Sequence, residues 1–279
     1  MRTGHVSMTA RAVASRRAAH QLFDRPAILD DPIAVPILGA EFFADPKRHS
    51  DPRSRAFRAF MVARSRYAED NLAEAVDAGV RQYVILGAGL DTFAYRNPFP
   101  ALQVFELDFP STQAFKRQML QSASIPEPAN LSFVPLDFEH QTLAAGLAQA
   151  GFNSSLPAFF TWLGVVPYLT LAAFRSTIDL IAAMPSGSGI VFDYAVTDDE
   201  LSPRLRAARK SLAARVAAAG EPFQLFFATA RMQNELQSAG FARIQQIDSA
   251  DLNARYFSDR EDGLALPEEA LGKLASAWV

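Results

Sequence analysis

Two periodicities divide the chain. Over the first eighty or so residues apolar positions recur at helical spacing and β-branched runs are almost absent. Ala10, Val13, Ala14 and Ala18 predict a helix over 9–23, ended by the turn Asp24-Arg25-Pro26. Asp30-Asp31-Pro32 opens a predicted short helix through Val35, Ile37 and Leu38, closed by Gly39. Between Asp51-Pro52 and Gly79, the positions Phe57, Phe60, Met61, Ala68 and Leu72 follow the i, i+3, i+4, i+7 rule and predict a long helix with one apolar face.

After Gly79 the pattern alternates between short apolar runs and helical stretches. Strands are predicted over 81–86, 102–107, 131–136, 158–163 and 189–194, with helices over 111–121, 171–184, 203–219 and 229–239. Residues 223–227 and 242–247 are predicted to complete the sheet. Strand-helix alternation of this kind implies a doubly wound α/β sheet with right-handed crossovers. There is no internal repeat and no long linker, so the 279 residues read as a helical N-terminal cap, 1–78, on a sheet core, 79–279, together one structural unit.

The stretch 156–174 carries no charge and approaches membrane-spanning length, but Pro157, Gly164 and Pro167 interrupt it. A buried strand, a turn and a helix start explain it better. Lys+Arg 27 against Asp+Glu 30 leaves a net charge of −3, too balanced for a nucleic-acid binder or a protein held on anionic lipid. With no cysteine, disulfides, thiolate metal sites and thiol nucleophiles are excluded, and a reducing cytoplasm fits. Four scattered histidines give a metal centre little support. The first 17 residues are basic and Ala-rich without an apolar run, unlike a secretory signal.

Candidate chemistry gathers at predicted strand ends. Gly87-Ala88-Gly89 follows the first strand at once, where an open parallel sheet takes its ligand and where glycine lets backbone come close; a plain strand-to-helix turn would use the same glycines. Thr92 stands where a dinucleotide fingerprint has its third glycine, which argues against NAD. Asp108 lies 19 residues past Gly89, the distance at which an acid on the second strand reaches ribose hydroxyls. Glu106 shares its side by alternation, so either acid could be that reader, or both a solvated strand end. Asp137-Phe138 ends the third strand and reads either as a purine-edge contact or as a helix cap. Arg64 falls on the apolar stripe of the long helix, so its guanidinium needs a fixed anion: a structural carboxylate or that of a ligand. The nearby Arg58 and Arg66 read as a solvated face.

These motifs carry a resemblance. YVILGAGLDTFAYR (83–96), VFELDFPSTQAFKRQML (104–120), FVPLDFE (133–139) and WLGVVPYL (162–169) resemble the leucine carboxyl methyltransferase family, in particular its bacterial branch of S-adenosylmethionine-dependent methyltransferases. DDPIA (30–34) and NARYFSDR (253–260) share that phrasing, and the likeness runs from about residue 20 to about residue 263. It implies the class I methyltransferase fold, a Rossmann-like, seven-stranded doubly wound sheet with its last strand reversed. Position by position, it implies that S-adenosylmethionine lies with its methionine carboxylate on Arg64, its body passing Gly87, Ala88, Gly89 and Asp91, its ribose on the Glu106-Leu107-Asp108 strand end, and its adenine against Asp137 and Phe138. A basic residue of the first helix, Arg17 or its neighbour Arg16, is implied as a second contact to the carboxylate. Leu163 stands where relatives often carry an acid near the methionine amine; Thr161 or backbone carbonyls could replace that contact.

The reading expected from this set is an O-methyltransferase acting on a carboxylate or hydroxyl of a small-molecule acceptor. Direct transfer to a carboxylate needs no base, whereas a hydroxyl is helped by one. The candidates are His20, Tyr168 and Tyr194, with Tyr95 and Asp193 behind them. Competing readings are an NAD-dependent oxidoreductase and a non-catalytic nucleoside-binding protein. The acceptor's identity and the oligomeric state are not legible in the sequence.

Overall fold

The computed structural model describes residues 8–39, 51–136, 141–218 and 220–279. Among these, helices α1 (Met8–Phe23) and α2 (Pro52–Asp77) precede β1 (Gln82–Leu86). Then come β2 (Gln103–Asp108), α3 (Pro110–Ser122), β3 (Leu131–Pro135), α4 (Leu143–Gln149), β4 (Phe159–Trp162), α5 (Leu171–Ala182) and β5 (Gly189–Ala195). The chain ends with α6 (Pro203–Ala218), α7 (Thr229–Ala239), β6 (Arg243–Ile247), α8 (Ser249–Tyr256) and β7 (Gly272–Trp278). Asp51 caps α2 by accepting from the Ser54 N–H, and Pro52 sits at its first position, where its missing donor does no harm.

The described strands form a seven-stranded sheet in the order β3-β2-β1-β4-β5-β7-β6, parallel except for β7, which runs antiparallel to both neighbours. Alternation along the strands divides the core. Val84, Leu86, Phe105, Phe160, Trp162, Phe192 and Tyr194 face α4, α5 and α7, where the Trp162 ring stacks on Phe174 at 5.9 Å. Tyr83, Ile85, Val104, Phe159, Val191 and Leu274 face the other way, onto Ala63, Tyr67, Leu72 and Ala75 of α2. The order reverses between β1 and β4, so their carboxyl ends flank the crevice where a doubly wound sheet binds ligands.

Several expectations change. Residues 223–227 are not a strand: the Gln224 and Leu225 N–H groups bond to the Pro167 carbonyl, and pairing is a single bridge between Val196 and Phe227. The sheet is completed instead by β7, whose sequence GKLASAW lacks the β-branched residues that announce a strand. The predicted short helix after Asp31 is one 3₁₀ turn, Pro36–Leu38. The α2 stripe also shifts, since Phe57 is 41% exposed while Arg58 is buried. Arg58 is therefore no part of a solvated face; it grips Asp24 with two bonds of 2.7 Å. The charge-free stretch 156–174 is β4, a 3₁₀ turn and the start of α5, and no described helix is long and apolar enough to cross a membrane.

Candidate cofactor site

Three turns meet at the carboxyl ends of β1, β2 and β4. Gly87 and Gly89 have φ of +67° and +51°, and a Cβ on Gly87 would lie 2.4 Å from Val165 Cγ2 of the turn after β4. A Cβ on Gly89 would come within 3.1 Å of Ala10 Cβ on α1, so this helix lies directly over the turn. The Ala88 N–H donates to the Leu107 carbonyl at 2.9 Å, tying the turn to β2. Asp108 ends that strand; its Oδ2 accepts the Gly89 N–H at 2.6 Å and its Oδ1 the Phe109 N–H at 2.7 Å. Burial nevertheless holds this carboxyl above its ordinary value, against the pull of the two N–H bonds, the Thr112 hydroxyl and Lys116.

Glu106 is 1% exposed; its Oε2 is bonded at 2.5 Å to Lys116 of α3, and its Oε1 has no hydrogen-bond partner among the described residues. Asp91 accepts the Phe93 N–H at 2.7 Å, and although burial raises its pKa, the cations Arg17, Lys116 and Arg96 bring the balance below the usual value. Arg17 donates to the Leu90 carbonyl and lies 3.2 Å from Asp31 and 3.6 Å from Asp91. Thr92 has its own work: its hydroxyl bonds at 2.7 Å to the fully buried Asp31, fastening the glycine turn to the segment after α1.

Arg64 is 5% exposed and its Nη1 bonds at 2.8 Å to Asp193 on β5. The anion it requires is thus present within the chain. Its guanidinium lies against Gly164, where a Cβ would fall 3.1 Å from Nη2, while its Nε has no hydrogen-bond partner among the described residues. Leu163 packs half-buried with the α2-side core, and Thr161, one of the substitutes for the missing acid, instead bonds to the Tyr83 hydroxyl at 2.9 Å.

Of the three base candidates, one faces this crevice. His20 is fully buried, with Nδ1 2.9 Å from Asp24 and Nε2 accepting the Ile28 N–H at 2.9 Å, so both nitrogens serve the fold. Tyr194, adjacent to Asp193, points to the opposite face and donates to Gln246; burial drives its hydroxyl pKa far up. Tyr168 is within the field of Glu221, Asp193 and Arg64 and bonded to Thr9; burial, followed by the two carboxylates, pushes it up to about 12. Glu221, 7% exposed, accepts from the Thr9 hydroxyl at 2.6 Å. Sequence reasoning missed both Thr9 and Glu221, and the signal for Glu221 is faint: one acid before Pro222 and a Phe-rich segment. Asp137 and Phe138 lie outside the described residues.

The family model for leucine carboxyl methyltransferase matches residues 10–182, which include both glycine turns, Arg17, Arg64 and Asp108. The chain belongs to this family. As a leucine carboxyl methyltransferase relative it is an S-adenosylmethionine-dependent methyltransferase, which removes the NAD-dependent and non-catalytic alternatives. It is 33% identical over 294 residues to YktD of Bacillus subtilis, a protein named provisionally as an S-adenosyl-L-methionine-dependent methyltransferase; the match covers 95% of this chain and 96% of that one. A Mycobacteroides abscessus protein of the same designation is 37% identical over 213 residues, covering 74% and 70%. Among solved structures, a methyltransferase-like protein from Thermobifida fusca shares the fold with a TM-score of 0.58 at 15% identity, covering 99% of this chain and 96% of that one. A DUF574 family protein from Streptomyces avermitilis does so with 0.54 at 18%, covering 95% and 96%. The residues present suit the cofactor: an unpartnered donor on a buried guanidinium, a glycine turn at the end of β1 that allows close backbone approach, and a buried carboxylate at the end of β2.

Proposed function

We propose that this methyltransferase methylates an oxygen, carboxylate or hydroxyl, of a small-molecule acceptor, with the cofactor held across the ends of β1, β2 and β4. In this reading the cap, 1–78, supplies Arg17 and Arg64, and the core, 79–279, supplies everything else. The observation that carries the placement is the Arg64 guanidinium, buried against Gly164 with an unused Nε. Arg64 would take the methionine carboxylate. Gly87, Ala88 and Gly89 would let the backbone approach, Asp91 and Arg17 would fix their turn, and Leu163 would give an apolar wall. Asp108 would take the ribose hydroxyls, with Leu107 holding the turn and Glu106 with Lys116 supporting it. Asp137 and Phe138 are kept for the adenine. When bound, the cofactor supplies an electrophilic methyl group on a positively charged sulfur.

The chain's own part is to align the acceptor, exclude water and manage one proton. Tyr168, with its pKa pushed up to about 12, stays protonated at neutral pH and acts as a donor that orients an acceptor oxygen. A carboxylate acceptor then needs nothing more. A hydroxyl acceptor releases a proton, and Glu221 Oε2, reached through the Thr9 hydroxyl, can hold it. The cysteine-free sequence supports the cytoplasm as the place of work.

Transfer of label from methyl-labelled S-adenosylmethionine to a panel of small carboxylic acids and phenols tests the reading. Transfer to oxygen is expected, and for a phenol Glu221→Gln should lower kcat by about a hundredfold while leaving a carboxylate acceptor within about threefold. Labelling confined to a protein acceptor, or to nitrogen, would overturn it.

A further inference from the structure

The Arg64–Asp193 pair has more bonding capacity than its own contacts use. Asp193 Oδ2 accepts from Arg64 Nη1 at 2.8 Å, and Oδ1 accepts the Gly164 N–H at 2.5 Å. Both residues are more than nine-tenths buried, at 5% and 8% exposure. A carboxylate offers about four acceptor sites, so about two remain on Asp193. On the other side of the pair, Arg64 Nε is buried without a hydrogen-bond partner among the described residues. An unused donor on Arg64 and unused acceptor capacity on Asp193 therefore belong to one ion pair at the turn after β4. A simple structural ion pair would close on itself; this one leaves bonding capacity on both charges.

The chemical complement of such a pair is the zwitterionic end of an amino acid, carboxylate on the guanidinium and ammonium on the carboxylate. Of the side chains nearby, Leu163 is apolar and the Thr161 hydroxyl is bonded to Tyr83. We propose that Asp193, reaching across from β5, reads the α-ammonium of the cofactor's methionine end, while Arg64 reads its α-carboxylate. This rests on the cofactor placement argued above. It gives Asp193 a binding role in place of that of a general base, and it explains how a chain with Leu163 at the end of β4 still meets a charged amine: the acid has moved one strand over, with the Gly164 N–H holding it in place.

The test compares two ligands by calorimetry, S-adenosylhomocysteine and its analogue lacking the α-amino group. The wild type should bind the first about tenfold to a hundredfold more tightly. In Asp193→Asn that preference should fall to within about threefold. Because the Asn variant leaves Arg64 without its counter-charge, the charge-balanced double variant Asp193→Asn/Arg64→Gln is measured beside it; it should bind both ligands more weakly and also lose the preference. Equal binding of the two ligands by the wild type would overturn the proposal, as would a preference that survives in either variant. Failure of the wild type to bind S-adenosylhomocysteine at all would instead overturn the cofactor placement.

Discussion

A methyl group added at Gly87 would enter space that Val165 already fills, 2.4 Å from its Cγ2, at a φ of +67° that alanine adopts only with strain. Both effects oppose the substitution, so Gly87→Ala should lower the unfolding free energy by about 1–3 kcal/mol and weaken S-adenosylhomocysteine binding beyond that loss. Urea denaturation with parallel calorimetry checks both, and an unchanged affinity would place the cofactor elsewhere. Asp24 belongs to a different class. It joins His20 at 2.9 Å and both forks of the buried Arg58, and these partners outweigh burial to hold its carboxyl below the usual range. Asp24→Asn would remove the buried counter-charge that both forks of the guanidinium meet, and a loss of about 3–5 kcal/mol is expected. A loss under about 1 kcal/mol in urea melts would show that this network does not fix α1 to α2. Thr92 shows what a residue's position in a motif leaves unread: its place in the structure is set by its hydroxyl bond to Asp31.

At the scale of elements, β2 and α3 are joined by the buried Glu106–Lys116 pair, and this makes their packing sensitive to pH. Burial pushes the Glu106 carboxyl up from 4.5 to about 7, despite the opposing pull of Lys116. The folded chain therefore holds that proton more tightly than the unfolded one. The resulting stability is fully present below about pH 4.5 and is lost as pH rises through about 7. Thermal melts of wild type and Glu106→Gln across that window should show the wild type losing ground relative to the variant; a constant difference would contradict the raised Glu106 carboxyl. The elements legible in the sequence were those with a strong local signal. The apolar runs of β1, β2, β4 and β5 and the Asp51-Pro52 start of α2 stand close to where the pattern puts them. β7 escaped because its burial comes from lying between β5 and β6, a tertiary circumstance that its small residues do not announce. Residues 223–227 misled for the converse reason: Leu225 and Phe227 are buried, but their segment is held by the Pro167 and Ala195 carbonyls instead of a ladder.

For the whole molecule, the decisive feature is that α1 and α2 bring cations to a crevice built by the sheet. Arg17 and Arg64 lie 47 positions apart in the chain. The glycine turns, Asp108 and the inward placement of Arg64 could be read from spacing and periodicity. The Asp193 partner, the Thr9–Glu221 contact and the Glu106–Lys116 bond could not, because each depends on which elements become neighbours in the fold. Calorimetric titration of S-adenosylhomocysteine into the wild type and Arg64→Ala tests this joint site most directly. The account predicts saturable, one-to-one binding by the wild type and an affinity lower by at least about tenfold in the variant. Equal affinity in the two, or no binding by the wild type, would contradict it.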